Sequence, residues 1–165
     1  MAFLLLFFFG VNLVYAAEEV QESYRVLFIS SYSYTWSTVP LQIQGNSSEL
    51  ADYVTLDIEY MDTKELSLEI AKKQLLERLQ YKEGHVQNYD AVIAGDDAAL
   101  RFVMEYRSEL FPEIPIVFEG INNLQYAREV SKDPLITGVI ECGSYEDNID
   151  FALTIQPDAK KLWLL

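Results

Sequence analysis

The chain has 165 residues, half of them apolar, with 26 acidic against 12 basic side chains and a formal net charge of -14. That length suits one ordinary domain or a pair of small lobes, and a chain with 9 Phe, 11 Tyr and 2 Trp is too aromatic for a disordered acidic tail. The acidic balance argues against a nucleic-acid binder, the single Cys142 excludes an internal disulfide framework and a thiolate-rich zinc site, and the single His85 excludes His-based triads and His-rich metal sites.

Residues Met1 to Ala17 carry no charged side chain and are dominated by the run Phe3-Leu4-Leu5-Leu6-Phe7-Phe8-Phe9. An apolar core followed by Val14-Tyr15-Ala16 reads as a secretory signal over residues 1–16, with a mature domain from Ala17 to Leu165. The alternative is an uncleaved anchor, at the short end of what spans a bilayer and interrupted by Asn12. No Lys or Arg precedes the apolar core, and no cysteine follows it to make a lipoprotein. Both readings put the remainder outside the cytoplasm.

From there strands and helices alternate. Arg25-Val26-Leu27-Phe28-Ile29-Ser30 is a continuous apolar run, the pattern of a strand buried on both faces. Ser37-Thr38-Val39-Pro40 supplies a hydroxyl cap and a first-turn proline for a helix that buries Val39, Ile43 and Leu50. Tyr53 to Met61 alternates, which suits a second strand near a sheet edge. Asp62 to Glu65 has the form of a capping box, after which Leu66, Ile70, Leu75 and Leu79 recur at helical spacing, with Glu69 and Lys73 placed to pair.

Ala91 to Ala94 reads as a third strand ending in Gly95-Asp96-Asp97, followed by a helix from Ala98 to Leu110. Pro112 and Pro115 frame the turn into a fourth strand, Ile116-Val117-Phe118, with Glu119 to Asn123 as a loop and a short helix over Leu124 to Val130. Ile136 to Ile140 is a fifth strand and Tyr145 to Ile155 a helix. Five strand–helix units predict an α/β domain: a parallel sheet flanked by helices. The final run Leu162-Trp163-Leu164-Leu165 reads as a buried strand with nothing after it to cover it. It is either the cut end of a longer chain or a last strand on this domain's own sheet.

In open α/β sheets ligands bind outside the carboxyl ends of the strands. Those ends carry Ser30-Ser31-Tyr32 with Tyr34 and Trp36, then Gly95-Asp96-Asp97, then Glu119-Gly120-Ile121-Asn122-Asn123, then Glu141-Cys142. Hydroxyls, aromatic rings, carboxylates and amides on one rim suit a cleft that stacks on a flat group and hydrogen-bonds a polar one. Each also has a plainer role: Asp96 or Asp97 as a helix cap, Tyr34 and Trp36 as loop aromatics, Asn122 and Asn123 as turn residues. Glu119 and Glu141 must be solvated or paired. The acidic rim favours a cation or amine, and helix amino ends at the same rim favour an anion, so together they suit a zwitterion such as an amino acid.

Other chemistries have less support. Adjacent carboxylates do not flank a bond as a hydrolase requires. Calcium-loop spacing, a phosphate loop and a nucleophile elbow are all absent from the sequence. Gly84-His85 reads as a solvated loop, Cys142 as a small buried residue or a spectator, and Asn46-Ser47-Ser48 matches only the weak glycosylation triplet. The expectation is a binding domain with no catalytic residue, metal or cofactor.

Gly95-Asp96-Asp97-Ala98-Ala99-Leu100-Arg101-Phe102, Tyr106 to Pro112 and Pro115 to Asn123 together resemble the ABC-transporter substrate-binding-protein-like family. Ser30-Ser31-Tyr32 with Trp36, and Glu59 to Lys64, are similar as well. The resemblance covers Arg25 to Leu165. It implies a type I periplasmic-binding-protein-like clamshell of which this chain is the first lobe, with Lys161 to Leu165 opening the second. It also implies that Ser31, Tyr32, Trp36, Asp96, Asp97, Gly120, Asn122 and Asn123 border the cleft. Glu119 departs from the small or neutral residue of many relatives. Two functions follow as expectations. One is the extracytoplasmic sensor of a histidine kinase or diguanylate cyclase, working with a membrane-embedded signalling partner. The other is a free binding protein that delivers a small polar ligand to an ABC permease.

Overall fold

A computed structural model describes residues 23–83 and 89–161. The leader, Gly84-His85 and the run Leu162 to Leu165 lie outside the described residues. Among those described, no helix is long and apolar enough to cross a membrane.

The apolar runs of the sequence form five parallel strands: β1 (Tyr24–Ser30), β2 (Val54–Tyr60), β3 (Ala91–Gly95), β4 (Ile116–Ile121) and β5 (Ile136–Ile140), in the order β2-β1-β3-β4-β5. The connecting helices are α1 (Val39–Glu49), α2 (Leu68–Glu83), α3 (Asp96–Glu105), α4 (Arg107–Leu110) and α5 (Leu124–Val130), with α6 (Tyr145–Ile155) after β5. The fold is α/β, as the alternation predicted.

Parallel crossovers are right-handed, so a connection running one way along the sheet covers one face and its reverse covers the other. The β1-to-β2 step opposes the rest, which leaves α1 on one face and α2, α3 and α5 on the other. The main core lies on the second face. There Leu27, Ile29, Val92, Ala94, Ile116, Phe118 and Ile136 of the strands meet Ala71 and Leu75 of α2, Leu100 and Val103 of α3, and Ala127 of α5. Val26 and Phe28 point to the α1 face, where Val39 is fully buried. α6 adds little, since Tyr145, Phe151 and Ile155 all stand exposed.

Several local expectations change. Thr38 precedes α1 without a side-chain cap bond, and Ile43 and Leu50 are only half-buried. Asp62 does not open a capping box, because its backbone is left-handed (φ 58°) and it closes a turn to Leu66; α2 begins at Leu68. Ala71 takes the buried place expected of Ile70, which is exposed. The Glu69–Lys73 pair is not made; Lys72 pairs instead with Glu105 of α3 at 2.6 Å. The helix after β3 breaks at Tyr106 into α3 and α4. β4 runs on to Ile121, so Glu119 and Gly120 are strand residues rather than loop. Cys142 is exposed.

β2 is an edge strand, as its alternation predicted. It carries a buried acid on the core face, Glu59, whose carboxylate accepts from Arg78 at 3.1 Å and Lys82 at 2.6 Å. At the other edge Gly138 crosses Phe118 so closely that a Cβ there would stand 2.1 Å from the Phe118 carbonyl oxygen.

Candidate ligand site at the carboxyl edge of the sheet

The chain leaves β1 towards β2 on one side and reaches β3 on the other, so the topological switch point of the sheet, the place where such folds bind ligands, lies where β1 and β3 end. Ser31 lies beneath that point. Its amide and its hydroxyl both donate to the Gly95 carbonyl, and the hydroxyl accepts from the Ala99 amide at 2.9 Å. Fully buried, Ser31 ties β1 to the first turn of α3 and lies beneath the rim rather than on it.

Tyr32 and Trp36 stand above, their ring centres 5.5 Å apart and tilted by 48°. Lys64, on the connection after β2, holds its ammonium 4.6 Å from the Tyr32 ring centre and 4.3 Å from that of Trp36. Thr63 sets its backbone: amide and hydroxyl both donate to the Ser31 carbonyl, at 3.0 and 2.8 Å. Burial raises the Tyr32 phenol above its ordinary pKa, and the carboxylates of Asp96, Asp97 and Glu141 push it further the same way. Tyr34 is exposed.

Asp96 begins α3 with a left-handed backbone (φ 70°). A non-glycine residue held there costs roughly 1–3 kcal/mol and persists only where its surroundings impose it. Its side chain is buried, with Gln42 of α1 donating to it at 3.4 Å. Burial raises its pKa, Glu141 and Asp97 add to that, and the Gln42 bond and the Lys64 charge oppose it. Beside it Glu119 accepts from Asn46 of α1 at 3.4 Å. Its pKa is raised too, first by burial and then by Asp96, against the Asn46 bond. Gly120 packs close to Asp96 with φ 66°.

Asp97 has a different task. Its two oxygens accept the Asn122 and Asn123 amides, each at 3.2 Å, locking the turn after β4 onto α3. Asn123 in turn caps α5 by accepting from the Tyr126 amide at 3.0 Å. Both asparagines are exposed. Their backbone roles match the plainer readings of the sequence.

The edge therefore brings Tyr32, Trp36, Asp96, Asp97, Glu119, Gly120 and Glu141 into one neighbourhood. Three contributors were absent from the sequence-derived set: Lys64, Gln42 and Asn46. Gln42 and Asn46 recur with Val39 on the inner side of α1, and two amides at that spacing were the available signal. Among the described residues no group of three or more His, Cys, Asp or Glu side chains is placed to hold a metal ion. Chemically, the edge offers aromatic faces beside carboxylates of raised pKa, an arrangement that attracts a cation. No family model matches the chain, and no curated protein or solved structure matches it.

Proposed function

We propose that this domain binds a small, polar, amine-bearing molecule, an amino acid among the candidates, at the carboxyl edge of its sheet. The reading rests on one observation: Asp96, Asp97 and Glu141 act electrostatically on the Tyr32 phenol, whose ring packs against Trp36. Asp97 and Glu141 press on Asp96, whose pKa burial already raises, so a positive partner placed among them is favoured, and aromatic faces gain from the same charge. Calorimetry on the full chain with amino acids, simple amines and uncharged sugars tests it. Binding confined to amine-bearing compounds supports the reading, and tight binding of uncharged sugars alone overturns it.

In its wider setting we propose the ligand-binding lobe of an extracytoplasmic sensor, whose closure on ligand is passed to a membrane-embedded signalling partner. The support is the resemblance of Tyr106 to Pro112 and Ile121-Asn122-Asn123 to sensor versions of the periplasmic-binding family. A ligand shifts such a closure only by its differential affinity for the two states. Delivery of the same ligand to an ABC permease is the second reading. Sequencing the gene past the codon for Leu165 separates them: a membrane helix with a kinase or cyclase module supports sensing, and a stop after a second lobe supports transport.

A further inference from the structure

We infer that Lys64 is a built-in occupant of the cation-binding corner formed by Tyr32 and Trp36, and that an organic cation, a protonated amine or a quaternary ammonium, enters by displacing it. The inference rests on the reading that this edge binds an amine and adds where the charge sits and what it replaces.

Two ring centres within 4.6 Å of one ammonium make a two-walled cage, the arrangement by which proteins hold quaternary ammonium groups. The rings belong to the loop after β1, whereas the cation arrives from the connection after β2. The walls of the cage thus come from one segment, and the fold brings the occupant to them from another. Its occupant is held loosely. Lys64 is exposed, and the ion pairs among the described residues use Arg25, Lys72, Arg78, Lys82, Arg107 and Lys132 and leave Lys64 out. Among the described residues no carboxylate makes an ion pair with this ammonium, and its close contacts are the two ring faces. A ligand cation can match those contacts and also meet Asp96, which already feels the Lys64 charge. Thr63 is fixed by two hydrogen bonds to Ser31, so the side chain can leave while the backbone stays.

The test titrates the full chain and Lys64→Met with methylammonium and tetramethylammonium chloride, using tert-butanol as the uncharged counterpart. The readout is the indole N–H resonance of Trp36, assigned by its loss in Trp36→Phe, and the amide spectrum checks that Lys64→Met keeps its fold. The expected result is that both cations move the Trp36 signal and tert-butanol does not. The dissociation constants should fall about two- to fivefold in Lys64→Met, the scale of an exposed cation–π contact. The gain should persist at high salt, which screens long-range repulsion between charges but not competition for one place. Equal affinity in the two proteins overturns the inference and leaves the amine site standing. A gain that vanishes at high salt also overturns it, since Lys64 then acts only as a distant charge. Binding of neither cation, or equal binding of tert-butanol, overturns both the inference and the amine reading.

Discussion

Ser31 and Gly95 are joined twice, the amide and the hydroxyl of one residue converging on the carbonyl of the other at 3.0 and 2.8 Å. The same hydroxyl receives the Ala99 amide, so one buried oxygen holds two strands and a helix start together. Ser31→Ala keeps the amide bond but strands the Ala99 amide away from water. A buried polar group left without a partner costs about 1–3 kcal/mol. Urea unfolding should show a loss of that size, with amine binding weakened only in step with the disturbed edge.

Asp96 gives a pH dependence of unusual sign. Its pKa in the folded protein is raised above the ordinary 3.8, so the folded state takes up a proton more readily than the unfolded chain. Stability contributed by this group therefore falls as pH rises through the window between the two values, and is recovered as pH falls. Glu119, raised above 4.5, acts in the same direction. Asp96→Asn removes the charge and suits the left-handed backbone, which asparagine tolerates. Its thermal midpoint should exceed that of the wild type at pH 7, with the gap closing as pH falls towards the ordinary 3.8 and Asp96 protonates. A gap independent of pH would show that charge is not the cause.

The Glu59 cluster separates two kinds of substitution. Arg78→Ala with Lys82→Ala leaves a buried carboxylate without either cation, a change worth about 3–5 kcal/mol for a buried pair. Glu59→Leu removes the charge itself and leaves two cations that already reach solvent, so its cost should be far smaller. Comparing the two variants by denaturant unfolding checks the order.

Trp36→Ala should weaken binding of an amine ligand by about 1–3 kcal/mol, the scale of a lost aromatic anchor. Because Trp36 is already 41 % exposed, the stability of the fold should barely change. Unchanged affinity would assign the ring to local packing with Tyr32.

Gly138→Ala tests the opposite edge of the sheet. With a carbonyl oxygen and the Phe118 ring in the way, the new methyl must push β5 off β4. A cost of at least about 1–3 kcal/mol, typical of overpacking, should appear in the thermal midpoint.

β1 was legible in the sequence because burial on both faces leaves a continuous run, Val26 to Ile29, and β2 because an edge strand alternates. α5 and α6 were legible from their spacing and flanking turn residues. The entry to α2 was not, because an acidic residue three before Glu65 suits a cap equally well as the left-handed turn that Asp62 adopts. The extension of β4 was not legible because Glu119 and Gly120 read as loop chemistry, whereas pairing of Glu119 with Gly95 and of Ile121 with Ile140 carries the strand on past an irregularity at Gly120 (φ 66°). At the site, Asp96, Glu119 and Tyr32 could be named from their places after strands. Lys64 could not, since its meeting with Trp36 depends on two loops from adjacent strands being stitched together, which no local pattern records.

That stitching has a kinetic meaning. Both donors of Thr63 end on the Ser31 carbonyl, so the segment bearing Lys64 and the one bearing Tyr32 travel as a single piece. Vacating the corner then requires only rotation about the lysine's own bonds, a picosecond-to-nanosecond event for an exposed side chain, and no swing of a loop on slower timescales. Exchange of one cation for another at this corner should run as fast as solvent delivers the newcomer.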